Sequence, residues 1–225
     1  MCSHFDIKSD RPKIFIPFMS EFQAYLQVGF EHITDPKGYD HILFIVALCA
    51  IYTLRDWKKV LILVTAFTVG HSLTLALATF NIIAFRRDVI ELLIPITILV
   101  TAIVNMFYDI PKTTLVRQER GSPARYGLAL GFGLIHGMGF SGYLHELLGS
   151  ESSIWQPLLA FNLGLEAGQV LIVLALLILT FLIVDLARVP KRSWNYIISG
   201  VVAGMALSLI INNALFQESL SIMFQ

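Results

Sequence analysis

The 225-residue chain is 56% hydrophobic and only 14% charged, with a mean hydropathy of +0.72 and a formal net charge of zero. Soluble domains have an apolar share of about 45–50%, so this balance excludes a water-soluble fold and indicates an integral membrane protein. Without a basic surplus there is no electrostatic basis for nucleic-acid binding, and the informative charges are the few inside apolar segments.

Residues 1–19 are mixed and Pro-containing, and lack the pattern of a cleavable signal sequence, so insertion is expected to depend on internal helices. Residues 20–34 repeat apolar side chains at helical period, with Phe22, Tyr25, Leu26, Gly29 and Phe30 on one side. That stretch is too polar to span, so 1–38 reads as a tail plus an amphipathic helix lying at the membrane interface. The Pro/Gly-broken segment HITDPKGYDH (32–41) then delivers Asp40 and His41 into an unbroken apolar run. A span needs about 20 mainly apolar residues, and six segments qualify: 39–54, 59–80, 88–108, 125–148, 156–186 and 194–213. The expected fold is therefore an all-α membrane protein, with a six-helix transmembrane domain over 39–213 and a C-terminal tail over 214–225. The first span is short, and the fifth is long enough to tilt or protrude. Cys2 and Cys49 have no disulfide or metal spacing. Trp57, Trp155 and Trp194 sit where aromatic belt residues belong.

Lys and Arg set the orientation. The loops after spans one, three and five carry ten of them and the opposite side six. The positive-inside rule then places both termini outside the cytoplasm, in a multi-pass protein of the cytoplasmic (inner) membrane.

Ionisable side chains within spans cost roughly 2.5–3.5 kcal/mol each on insertion scales, and those retained normally face the bundle interior and carry function. Here they are Asp40 and His41, His71, Glu91, His136, His145 and Glu166. With outward termini, Asp40, His41, Glu91 and His145 fall in the outer part of the membrane, and His71, His136 and Glu166 one to three turns deeper. Asn162, Glu166 and Gln169 share one helical stripe, which must face protein or water. Glu91 and Asn105 lie on one face about 21 Å apart along the axis, too far to bind one ion together. His136 and His145 lie on opposite faces of any regular helix, and only a break in GMGFSG would unite them. Gly131, Gly133, Gly137 and Gly139 allow close helix approach around His136, or expose backbone to a passage.

Imidazole and carboxylate are ligands for nickel, cobalt and zinc, whereas no thiolate or methionine cluster points to copper(I). A bound divalent cation would also offset the burial of acidic groups. The expected ligands are Asp40, His41, His71, His136 and Glu166. Thr68, Ser72, Thr74, Asn105, Asn162 and Gln169 could orient them, and Glu91 and His145 could line a path.

The pieces GYDHILFIVAL, FTVGHSLTLALA, TAIVN at the end of the span holding Glu91 and Asn105, FGLIHGMGF and FNLGLEAGQ occur in that order over about residues 28–172. Together they resemble the HupE/UreJ family of small membrane proteins. The resemblance implies nickel or cobalt uptake, often beside hydrogenase and urease systems, and adds His32 to Asp40 and His41 as metal ligands. One departure is that seven residues separate His32 from Asp40, where better-studied members have five.

Two function classes follow. The favoured one is a permease that captures a divalent ion at Asp40 and His41 and passes it inward by His71, His136 and Glu166. The other is a membrane-embedded hydrolase in which three protein ligands hold a catalytic zinc, although no HExxH pattern is present. A metal-binding accessory protein is a third reading. The partners expected are the bilayer and the ion, with a homo-oligomer left open.

Overall fold

The computed structural model describes residues 20–80, 82, 86–108, 123–148 and 154–223, with backbone alone at 79 and 141–148. Cys2, His4, the side chain of His145 and the connections 109–122 and 149–153 lie outside the described set. The described residues form helices and contain no strand: α1 (Glu21–Thr34), α2 (Tyr39–Cys49), α3 (Trp57–Thr79), α4 (Arg87–Met106), α5 (Pro123–Leu148), α6 (Trp155–Thr180), α7 (Lys191–Ile211) and α8 (Ala214–Met223). Among them, four helical stretches are long and apolar enough to cross a bilayer: Leu54–Ala78, Arg87–Met106, Trp155–Leu186 and Lys191–Ile211. Leucines and valines along α6, among them Leu159, Leu163, Val170, Leu171 and Leu174, are exposed. In a bilayer such a surface needs no protein cover.

The first expected span differs most from the sequence reading. Its helix, α2, stops at Cys49 after 11 residues, about 16 Å of rise at 1.5 Å per residue, which cannot cross the hydrocarbon by itself. Ala50, Ile51, Tyr52 and Thr53 continue as buried, non-helical chain. A short 3-10 turn follows, held by Thr53 N and Oγ1 donating to Asp56 Oδ2 at 3.3 and 3.0 Å. The end of α2 takes a partner from α4, whose Asn105 Nδ2 donates to the Ala47 carbonyl at 2.6 Å, beside the Ala50 N–H at 3.3 Å. Asn195 Nδ2 on α7 in turn donates to the Asn105 carbonyl at 2.7 Å.

The N-terminal helix also departs from expectation. Ser20 and Gln23 close a capping box, so α1 forms where predicted. However, it buries Tyr25, Gly29 and Ile33 against α6 instead of lying alone at the interface. Gly164 meets Leu26 and Phe30 of α1, while Gly168, a turn later, meets Phe30, Ile33 and Thr34, so the two helices run parallel. A Cβ at Gly164 would overlap the Leu26 carbonyl oxygen. This is the small-xxx-small packing that membrane helices use for close approach. A turn at Asp35–Gly38 separates α1 from α2, and there Lys37 N donates to Asp35 Oδ1 at 2.9 Å.

The pair α3 and α5 repeats this arrangement. Gly133 abuts the Phe67 carbonyl and Gly137 the His71 carbonyl, again in parallel register. Gly133, Gly137 and Gly139 therefore serve helix contact, whereas Gly131 faces open space. α5 runs unbroken through GMGFSG to Leu148, so the break needed to unite His136 with His145 is absent. At its C-terminal end α6 passes into a π-helical turn, Phe181–Leu186, extending the long fifth span. The chain reverses at Arg188, whose φ of 57° is positive. The expected C-terminal tail contains α8.

Candidate metal centre

The break between α1 and α2 brings together residues that are distant in sequence. His32 comes from the last turn of α1, Asp40 and His41 from the first turn of α2, His71 from α3 and His136 from α5. The ring centroids of His32 and His41 are 4.7 Å apart, His41 and His136 5.2 Å, and His71 lies 6.0 Å from both His32 and His41. His71 and His136 are fully buried and His41 nearly so. Two groups of three donors each lie within 4.8 Å of one another: His32/His41/His71 and Asp40/His41/His136.

Hydrogen bonds select the tautomers. The Thr97 hydroxyl donates to the Ile94 carbonyl at 2.7 Å, so its oxygen can only accept from His136 Nε2, 3.2 Å away. Nδ1 of His136 then carries the lone pair. His41 Nδ1 similarly faces Asp40 Oδ1 at 3.2 Å and donates to that carboxylate, leaving the lone pair on Nε2. Both atoms so freed, together with His32 Nε2 and both nitrogens of His71, are buried without a hydrogen-bond partner. A buried unsatisfied polar group costs about 1–3 kcal/mol, and such a concentration of lone pairs is unusual in a bundle core. The donor set, imidazoles with one carboxylate, fits a divalent first-row cation. Asp40 and Thr97 hold their histidines as outer partners hold metal ligands.

The surroundings are asymmetric. On one side His32 borders an open cleft of about 520 Å³ that Glu31, Asp35 and Phe140 also line. On the other, Phe44, Phe67 and Phe132 pack into an aromatic floor, with Phe44 and Phe67 centroids 5.1 and 5.2 Å from His136. Beyond the floor is a small cavity of about 40 Å³ lined by Asn105 and Arg125, among others. Arg125 lies over the Tyr108 ring at 4.4 Å and donates to Asn105 Oδ1 at 3.3 Å.

The remaining expected site residues lie elsewhere. The polar stripe of α6 faces α3: Ser72 donates to Asn162 at 2.6 Å, Thr65 to Glu166 at 2.7 Å and Thr68 to Gln169 at 2.6 Å. Glu166 thus belongs to neither donor group. Its carboxylate accepts the Thr65 hydrogen bond instead. Thr74 bonds back to the Gly70 carbonyl at 3.2 Å. Glu91 forms an exposed i,i+4 ion pair with Arg87 at 2.9 Å, and Asn105 clamps α2. Sequence reading missed Thr97 and Arg125. A lone threonine in an apolar helix normally back-bonds to its own chain, and Arg125 was counted only as a loop charge.

The family model described as HupE / UreJ protein matches residues 9–214, most of the chain. No curated protein and no solved structure gives a significant match. The clustering of the first-span histidine and Asp-His pair with His71 and His136 agrees with that match: the chain belongs to the HupE/UreJ family.

Proposed function

We propose that this membrane protein is a permease for a divalent transition metal, nickel or cobalt by its family, with zinc acceptable to the same ligands. The single observation that carries the reading is the convergence of four histidines and one aspartate from four helices, with a ring nitrogen of each of these histidines buried and unpaired. The cation is the cargo. It enters by the cleft beside His32, where Glu31 and Asp35 attract positive charge, and exchanges its hydration shell for imidazole and carboxylate. With both termini outside the cytoplasm the cleft faces outward, and passage inward requires the aromatic floor to part.

The test is uptake of radiolabelled nickel or cobalt into proteoliposomes. Wild type is expected to accumulate the ion and His41→Ala to lose accumulation. A stoichiometric, tightly held zinc with no flux refutes the permease. The aromatic floor favours one alternative, since a blind pocket open on one side suits a metal-dependent hydrolase with a water at the open coordination position. Such an enzyme would retain its metal through dialysis and move none across the bilayer.

A further inference from the structure

Five donors surround this centre, and the simplest assembly would place them all on one ion. The geometry opposes that. Ligands of one first-row cation sit about 2.0–2.2 Å from it, so two of them are separated by little more than about 4 Å even when opposite. The described donors fall within 4.8 Å only as two separate triads that meet at His41. His32 and His71 do not join Asp40 and His136 in any such group.

Building on the metal-binding reading above, we propose that the centre comprises two adjoining three-ligand stations, His32/His41/His71 and Asp40/His41/His136, which share His41 and hold one divalent cation between them at a time. Single occupancy follows from His41 and from charge. Asp40 engages His41 Nδ1 at 3.2 Å, leaving one lone pair, on Nε2, so the carboxylate joins the ion in the second station by letting go of Nδ1. Two dications about 4 Å apart, the usual spacing of two-metal sites, would repel with four times the energy of two unit charges. The donor set offers them a single carboxylate.

The stations differ in access and charge. The all-imidazole station includes His32, which lines the open cleft. The second includes His136, fully buried against Phe44 and Phe67 and held by Thr97. An arriving cation meets neutral imidazoles first and then moves toward the carboxylate. Bonds to His32 and His71 break as bonds to Asp40 and His136 form, and His41 stays attached throughout. No proton or electron has to be transferred in this exchange.

The test loads the purified full-length protein, in nanodiscs, with nickel alone. Bound metal is counted by mass spectrometry and its ligands are read by X-ray absorption. One nickel per chain is expected in wild type, and one in each of His71→Asn and His136→Asn, with about tenfold or greater loss of affinity; the double variant binds none. Asp40→Asn, which keeps an oxygen to accept from His41 Nδ1 but removes the anionic ligand, should abolish binding in the His71→Asn background and weaken it far less in the His136→Asn background. Monodisperse elution and unaltered tryptophan fluorescence establish that each variant is folded. His71→Gln and His136→Gln serve as second variants where asparagine is not tolerated. Two nickel ions in wild type, or complete loss of binding in either folded single variant, overturns the two-station arrangement while leaving metal binding intact. A wild-type protein that takes up no nickel overturns the metal-binding reading, and this inference with it.

Discussion

Asn105→Leu keeps the branched skeleton of the side chain and removes the hydrogen bonds that clamp α2. Asn105 is 1% exposed. Its amide donates to the Ala47 carbonyl at 2.6 Å and its oxygen accepts from Arg125 at 3.3 Å. Losing the first leaves the Ala47 carbonyl with only the 3.3 Å bond from the Ala50 N–H, a loss of about 0.5–1.5 kcal/mol; losing the second removes a longer bond to a charged donor, about 1–2 kcal/mol at this distance. Polar contacts between membrane helices average only about 0.6 kcal/mol, because side chains freed in the bilayer find other partners. The net expectation is about 1–3 kcal/mol. The measurement is reversible unfolding by steric trapping in bicelles, paired with nickel titration of the folded variant. Because α2 carries Asp40 and His41 in its first turn, nickel affinity should fall as well, by roughly tenfold. A stability loss below about 0.5 kcal/mol with unchanged nickel affinity refutes the view that Asn105 positions α2.

Glu166→Gln is expected to leave nickel affinity within about twofold of wild type, because this side chain bonds Thr65 and belongs to neither donor group; a tenfold loss in equilibrium dialysis would return it to the ligand set. Gly164→Leu should separate α1 from α6, since even a Cβ there overlaps the Leu26 carbonyl. The readout is weakened nickel binding together with new proteolytic cleavage in α1, and wild-type behaviour in both contradicts the close packing. Nickel affinity should fall as pH is lowered from 7.5 to 5.5. The sign follows from competition, because protons and metal contend for the same imidazole lone pairs and binding releases protons. An affinity that rises as the pH is lowered contradicts histidine ligation.

Much of the architecture was legible in the chain. Apolar length and composition required a helical membrane protein, because backbone polar groups in hydrocarbon must be satisfied within the segment. The buried polar residues pointed to the candidate site for a similar reason, as groups costly to insert persist only where something uses them. His41, His71 and His136 were identified in this way, and His32 by resemblance. Periodicity also assigned Asn162, Glu166 and Gln169 to one face. It could not tell that this face meets hydroxyls on α3, so Glu166 was grouped with the ligands although it is spent on Thr65. Depth along a helix is a one-dimensional coordinate, and it cannot distinguish a residue aimed at the centre from one aimed at a neighbouring helix.

The segment HITDPKGYDH shows where the sequence's authority ends. Composition alone required a break at Asp35–Gly38, since Pro36 and Gly38 cannot carry a helix smoothly through it. Which side chains surround the break was decided by the tertiary structure. Glycine contacts dock α1 parallel to α6 and α3 parallel to α5, and Asn105 holds the shortened α2 in place. Those contacts couple residues dozens to more than a hundred positions apart, and no local propensity encodes them. The chain supplied the ligands and the interruption; helix packing determined that His32, His41, His71 and His136 meet there, and that Glu166 does not.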